Sequence, residues 1–115
     1  MSIRETIFDT LKSAGIDTYL PGQREGEISR GEEYVIIADG GVMSAGKTTG
    51  RKAFIIAAYV SAQHPLDLRP LIGKVRTALT GMKNITTDGD ISPEYFDDTR
   101  KAAYASIEYT ALCAI

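Results

Sequence analysis

The sequence predicts an α+β fold, a mixed or antiparallel sheet of about four strands with a long central hairpin, flanked by two helices. Three observations predict it. Helical stripes of apolar residues occupy 2–14 and 67–82, two β-branched runs at 34–38 and 53–60 bracket a glycine-rich stretch, and residues 101–112 alternate small or apolar with polar positions. At 115 residues the chain makes one domain, 1–115, with one core.

Ser2 and Glu5 have the spacing of a capping box, Ile3, Ile7, Leu11 and Ala14 share a stripe, and Gly15 is the stop of the first helix. Residues 17–20 form a short extended piece ended by Pro21-Gly22. The polar, glycine-punctuated QREGEISRGEEY that follows reads as a loop with at most a weak edge strand. YVIIA and AFIIAAYV then read as two core strands joined by a long hairpin, although the alanines of the second leave a helix open. Asp67 is the expected cap of the second helix, with Pro70 in its first turn and Leu71, Val75, Leu79 and Met82 as its stripe down to Gly81. Residues 83–99 read as loop, marked by Asp88-Gly89 and Ser92-Pro93. The final strand runs from Lys101 to Leu112 and turns Ala103, Ala105, Ile107, Tyr109 and Ala111 to one face.

Charge narrows the function classes. Thirteen basic and 15 acidic residues leave a net charge of −2, too little positive field for a general grip on nucleic acid. No apolar stretch approaches the roughly 20 residues that cross a bilayer, and the amphipathic start does not resemble a leader, so the expectation is a cytoplasmic protein, mature as written, without a membrane partner. Cys113 and His64 are the only cysteine and histidine, which leaves no zinc cluster to assemble. Neither a metal nor another cofactor is expected.

One motif argues otherwise. Gly41-x-x-x-x-Gly46-Lys47-Thr48 spells a phosphate-binding loop after an apolar run, and a small nucleotide-binding protein using Gly41 to Thr48 is the reading it supports. Such a loop needs a helix straight after the lysine and Ser/Thr, so that helical N–H groups face the phosphates. Here Thr49-Gly50-Arg51-Lys52 places a glycine in that first turn, and the β-rich run follows too soon. Asp39 ends the strand before the loop, whereas the magnesium-aiming acid belongs to a neighbouring strand. The favoured reading is a hairpin, in which Gly40, Gly41, Gly46 and Gly50 supply flexibility and Lys47, Arg51 and Lys52 project positive charge.

The remaining constellations read as structure. Asp88-Gly-Asp90-Ile-Ser92 opens like a calcium loop, but Pro93 stands where glycine is needed and Thr99 where a bidentate glutamate belongs, so turn chemistry is expected. Glu94, Asp97 and Asp98 read as a solvated loop, His64 as a loop histidine and Cys113 as a small packed residue. The six tyrosines read as scattered among strands and loops, not as a base-stacking platform. No enzyme active site is expected.

The opening IRETIFDTLKSAGI, the turn before YVIIADGG, the glycine loop, KAFIIAAYV, the helix in LRPLIGKVRTAL and above all YFDDTRKAAYASIEY together resemble the tail terminator proteins of tailed bacteriophages, also called tail completion or tail-to-head joining proteins, and of related prophages and phage-tail-like particles. The resemblance runs over nearly the whole chain, through fold-pattern residues and not through chemistry. It implies a homohexameric ring on the last ring of the tail tube, which stops tube polymerisation and offers a docking surface to the head connector. The implied partners are the chain itself, the tail tube protein and the head completion or connector protein, with DNA passing through the channel without specific binding. The implied place is the virion tail, reached from the host cytoplasm. The hairpin from Gly40 to Arg51 matches the family's extended loop, so Gly41, Met43, Lys47 and Arg51 are the expected contacts with a neighbouring subunit or the tube. The phosphate-loop spelling lies outside the family pattern, and another head–tail connector or a minor capsid protein is the alternative.

Overall fold

Residues 2–44, 46 and 49–114 are described by a computed structural model of the protein. Helix α1 spans Ile3–Ser13 and starts at the expected cap, where Ser2 is extended and its hydroxyl accepts the Glu5 N–H at 3.1 Å. Ile7 and Leu11, both fully buried, form its inward stripe. Gly15, at φ +82°, ends it by entering the left-handed region.

Strand β1 is Thr18–Tyr19, β2 Glu33–Ser44 and β3 Thr49–Ser61. The second β-branched run is therefore strand and not helix. Its burial alternates, with Phe54, Ile56, Ala58 and Val60 facing one way, which a helix of the same composition would not do. Both strands extend well past their apolar cores, into the glycine-rich segment on each side of the hairpin.

A 3-10 turn, Pro65–Asp67, leads into α2, Leu68–Leu79. Asp67 stands at the expected N-cap but does not cap with its side chain, because its backbone is already helical (φ −76°, ψ −10°) and its carboxylate makes no capping hydrogen bond. Leu68, Leu71, Ile72, Val75 and Leu79 are its buried stripe.

Strand β4, Tyr95–Asp97, lies inside the stretch expected to be loop, and β5 covers Ala102–Ala114. The sheet accordingly has five strands where about four were expected, in the order β1-β2-β3-β5-β4, with β1 parallel to β2 and all other pairs antiparallel. Three residues are too few to show alternation, and Tyr95 and Phe96 are both exposed, so nothing in the pattern marks β4 as strand.

Both helices cover one face of the sheet. There Val35, Ile37, Phe54, Ile56, Ala105, Ile107 and Tyr109 join the helical stripes in the main core. On the other face Ile28, Tyr34, Ile36 and Ala102 form a smaller core beneath the loop that precedes β2. No helix among the described residues is long and apolar enough to cross a membrane. The body is elongated, 47 × 26 × 24 Å, because β2, β3 and β5 run on beyond the helices.

Candidate interface: a three-stranded arm and a tyrosine row

The extension of β2, β3 and β5 makes an arm, and glycine shapes its root. Asp39 pairs with Phe54 and Gly41 with Ala53, so Gly40 is an extra residue in β2, a β-bulge. A Cβ on Gly40 would stand 2.9 Å from the Ala53 Cβ and 3.2 Å from two Ile55 side-chain carbons, and Gly41 takes φ +94°. Only glycine fits both demands. The first glycine of the phosphate-loop spelling thus belongs to a bulge, and β3 already pairs with β5 at Thr49, so no helical N-terminus follows the lysine. The hairpin reading is the one the backbone adopts.

Of the four residues expected to contact a subunit or the tube, Gly41 sits at the bulge and Met43 stands 57% exposed near the tip. Arg51 is on the same row as Met43, but its guanidinium donates to the Thr110 hydroxyl at 3.1 Å and the Thr86 hydroxyl at 3.4 Å. Lys47 lies outside the described residues. Lys52 pairs with Asp39 at 3.7 Å, and Asp39 also meets Arg4 of α1 at 3.6 Å. Arg51 and Lys52 therefore hold the arm to the body where free projecting charge was expected. Beside Arg51, which is itself exposed, the arm exposes apolar side chains: Val42, Met43 and, on β5, Leu112.

At the other end of the sheet the tyrosines are not scattered. Tyr34, Tyr59 and Tyr104 are direct cross-strand partners on β2, β3 and β5, Tyr95 of β4 pairs with Tyr104, and Tyr19 of β1 meets Tyr34. Five rings cross five strands, their successive centroids 5.5, 5.3, 5.2 and 5.6 Å apart. Guanidinium groups cover the row: Arg24 lies 5.1 Å from the Tyr34 ring centre and Arg100 5.1 Å from that of Tyr59.

Arg100 is the tie between loop and sheet. It donates to the Arg24 carbonyl at 2.6 Å and the Tyr34 hydroxyl at 2.8 Å and pairs with Asp97 at 3.3 Å, while its own carbonyl accepts the Ile28 N–H at 2.7 Å. Arg24 completes the strap by bonding Glu32 at 2.8 Å, and this bond, with the Ser29 N–H, holds the Glu32 carboxyl below its ordinary pKa. Burial pushes the Tyr59 hydroxyl up.

The sequence matches no known protein-family model and no curated protein.

The chemistry of the arm and the tyrosine row is that of packing and pairing. At the supposed calcium loop, Gly89 takes φ +82° and its N–H donates to the Thr87 hydroxyl, which makes the segment a turn, and no group of three metal-ligating side chains converges among the described residues. His64 donates its N–H to the Ser61 carbonyl at the entry to the 3-10 turn, and Cys113 is half-buried in β5 opposite Gly50. Sequence reasoning missed the tyrosine row, Arg100, Val42 and Leu112. One tyrosine near the start of several strands was a visible signal, but alignment into a row depends on register, which those residues do not specify.

Proposed function

We propose that the chain is a non-enzymatic virion assembly protein of the tail terminator kind, in a phage or a phage-tail-like particle. It forms a hexameric ring that caps the tail tube, ends its polymerisation and joins the tail to the head connector. The observation that carries the reading is the arm: a three-stranded extension beyond the helices, rooted by a glycine bulge and ion pairs, with apolar side chains exposed near its end. An element so built suits contact with other subunits better than chemistry. Element order and the resemblance of nearly the whole chain support it further. A slightly acidic subunit, at net charge −2, also suits a channel through which DNA slides without being gripped.

Light scattering and negative-stain microscopy of the purified chain, alone and with tail tube protein, test the proposal. A ring-sized species or short capped tubes are expected. A strict monomer that leaves tube growth unchanged overturns it. Lysine-dependent binding of ATP or GTP with magnesium, measured by calorimetry on wild type and Lys47→Ala, would overturn it in favour of a nucleotide-binding protein.

A further inference from the structure

A strand edge left open is a row of N–H and C=O groups able to pair with another strand, and proteins blunt such edges with charge, proline or cover. The body does so here. The root of β2 is covered by β1, and β5 is flanked by β4 and then by bridges from Thr86 to Thr110 and Ile91 to Ile107. Among the described residues, the arm has no such cover on either side, and its edge segments, 41–44 and 111–114, hold neither a charge nor a proline.

The outward groups can be assigned. The Thr110 N–H donates to Thr86, away from β3, so two residues on Leu112 also turns its N–H and C=O outward. On the other side, Val35 donates to Asp17, away from β3, and the extra residue at Gly40 shifts the parity so that Val42 and Ser44 face outward beyond it. Leu112 and Met43 lie at one level, both opposite Arg51 on β3. β2 and β5 also run in the same direction, since each is antiparallel to β3.

These facts select one kind of occupant. A copy related by rotation about an axis that runs along the arm's strands brings the β5 edge of one arm beside the β2 edge of the next, parallel and without a shift along the strands. In that register Leu112 stands opposite Met43. Its N–H meets the Val42 carbonyl, and its carbonyl meets the Ser44 N–H, which is the bonding of a parallel ladder. The Leu112 and Met43 side chains, 67% and 57% exposed, fall on the same face of the seam and cover each other. We infer that the arm is the joint between copies of this chain, the sheet continuing from β5 of one subunit to β2 of the next. This rests on the ring reading, and it supplies that ring with a head-to-tail contact.

Paired cysteines test the joint. In a Cys113→Ser background, Met43→Cys and Leu112→Cys together should cross-link under mild oxidation into a ladder of covalent oligomers ending at the ring. Within one subunit the two positions are separated by two strand spacings, roughly 10 Å, too far for a bridge. Either cysteine alone should leave monomers. Dimers from Leu112→Cys alone would mean a two-fold joint and overturn the inference. Leu112→Pro, which removes the outward N–H at an edge that tolerates proline, should release subunits that keep the wild-type circular dichroism. Rings that resist both the cross-linking and the proline overturn the joint and leave the ring standing. Absence of any assembly by the wild type overturns the ring and the joint together.

Discussion

Single residues decide the local geometry, and three of them give measurable consequences. Gly40→Ala forces a methyl against Ala53 and Ile55 at the bulge, and we expect a loss of about 1–3 kcal/mol in urea unfolding, the range for overpacking a tight site. Arg100→Ala leaves the Tyr34 hydroxyl and the Arg24 carbonyl without their donor in a half-buried place, and should cost about 2–3 kcal/mol. Arg100→Lys should recover less than half of that, because an ammonium cannot fork between tyrosine, carbonyl and Asp97. Glu32 sets a pH dependence. Its carboxyl is held down by Arg24, so the stability it contributes is complete above the ordinary glutamate pKa, about 4.3, and is lost as pH falls through its lower folded value. Tyr34 ring resonances in NMR should shift in that acid window for wild type and stay unchanged in Glu32→Gln. None of these three roles was legible. A glycine pair, an arginine in a turn and a glutamate in a polar loop look alike in any surface segment until register brings partners from distant strands beside them.

Elements were legible wherever a pattern ran long enough. Helix α1 followed from Ser2, Glu5 and the Ile7–Leu11 stripe, and β5 followed from alternation as far as Leu112, two residues short of its end at Ala114. β4 did not, since its three residues owe their strand geometry to the turn that returns the chain into β5. That turn closes through the Arg100 N–H on the Asp97 carboxylate and carries Lys101 at φ +53°, a left-handed position filled by a residue with a side chain. Lys101→Gly should raise stability by about 0.5–1 kcal/mol in thermal or urea unfolding by relieving that conformation. The exposed ion pair it removes, Lys101 with Asp98, is worth little in water.

At the scale of the molecule, the sheet carries an open-edged arm at one end and a row of tyrosines at the other. The fold class was legible because apolar stripes and alternating strands leave few ways to cover one face with two helices. The arm was legible as a hairpin and its open edges were not, since edge coverage is a property of strand order, and strand order is set by the whole chain. The tyrosine row has a consequence in light absorption. The chain contains no tryptophan, so its near-ultraviolet spectrum belongs to tyrosine, and five of the six chromophores stand in ring-to-ring contact in a chiral stack. Their transition dipoles couple, so the folded protein should show a strong near-ultraviolet dichroic band and depolarised tyrosine emission as excitation hops along the stack. Both signals vanish once the strands separate, which makes the sheet an optical gauge of its own integrity, read without any added label.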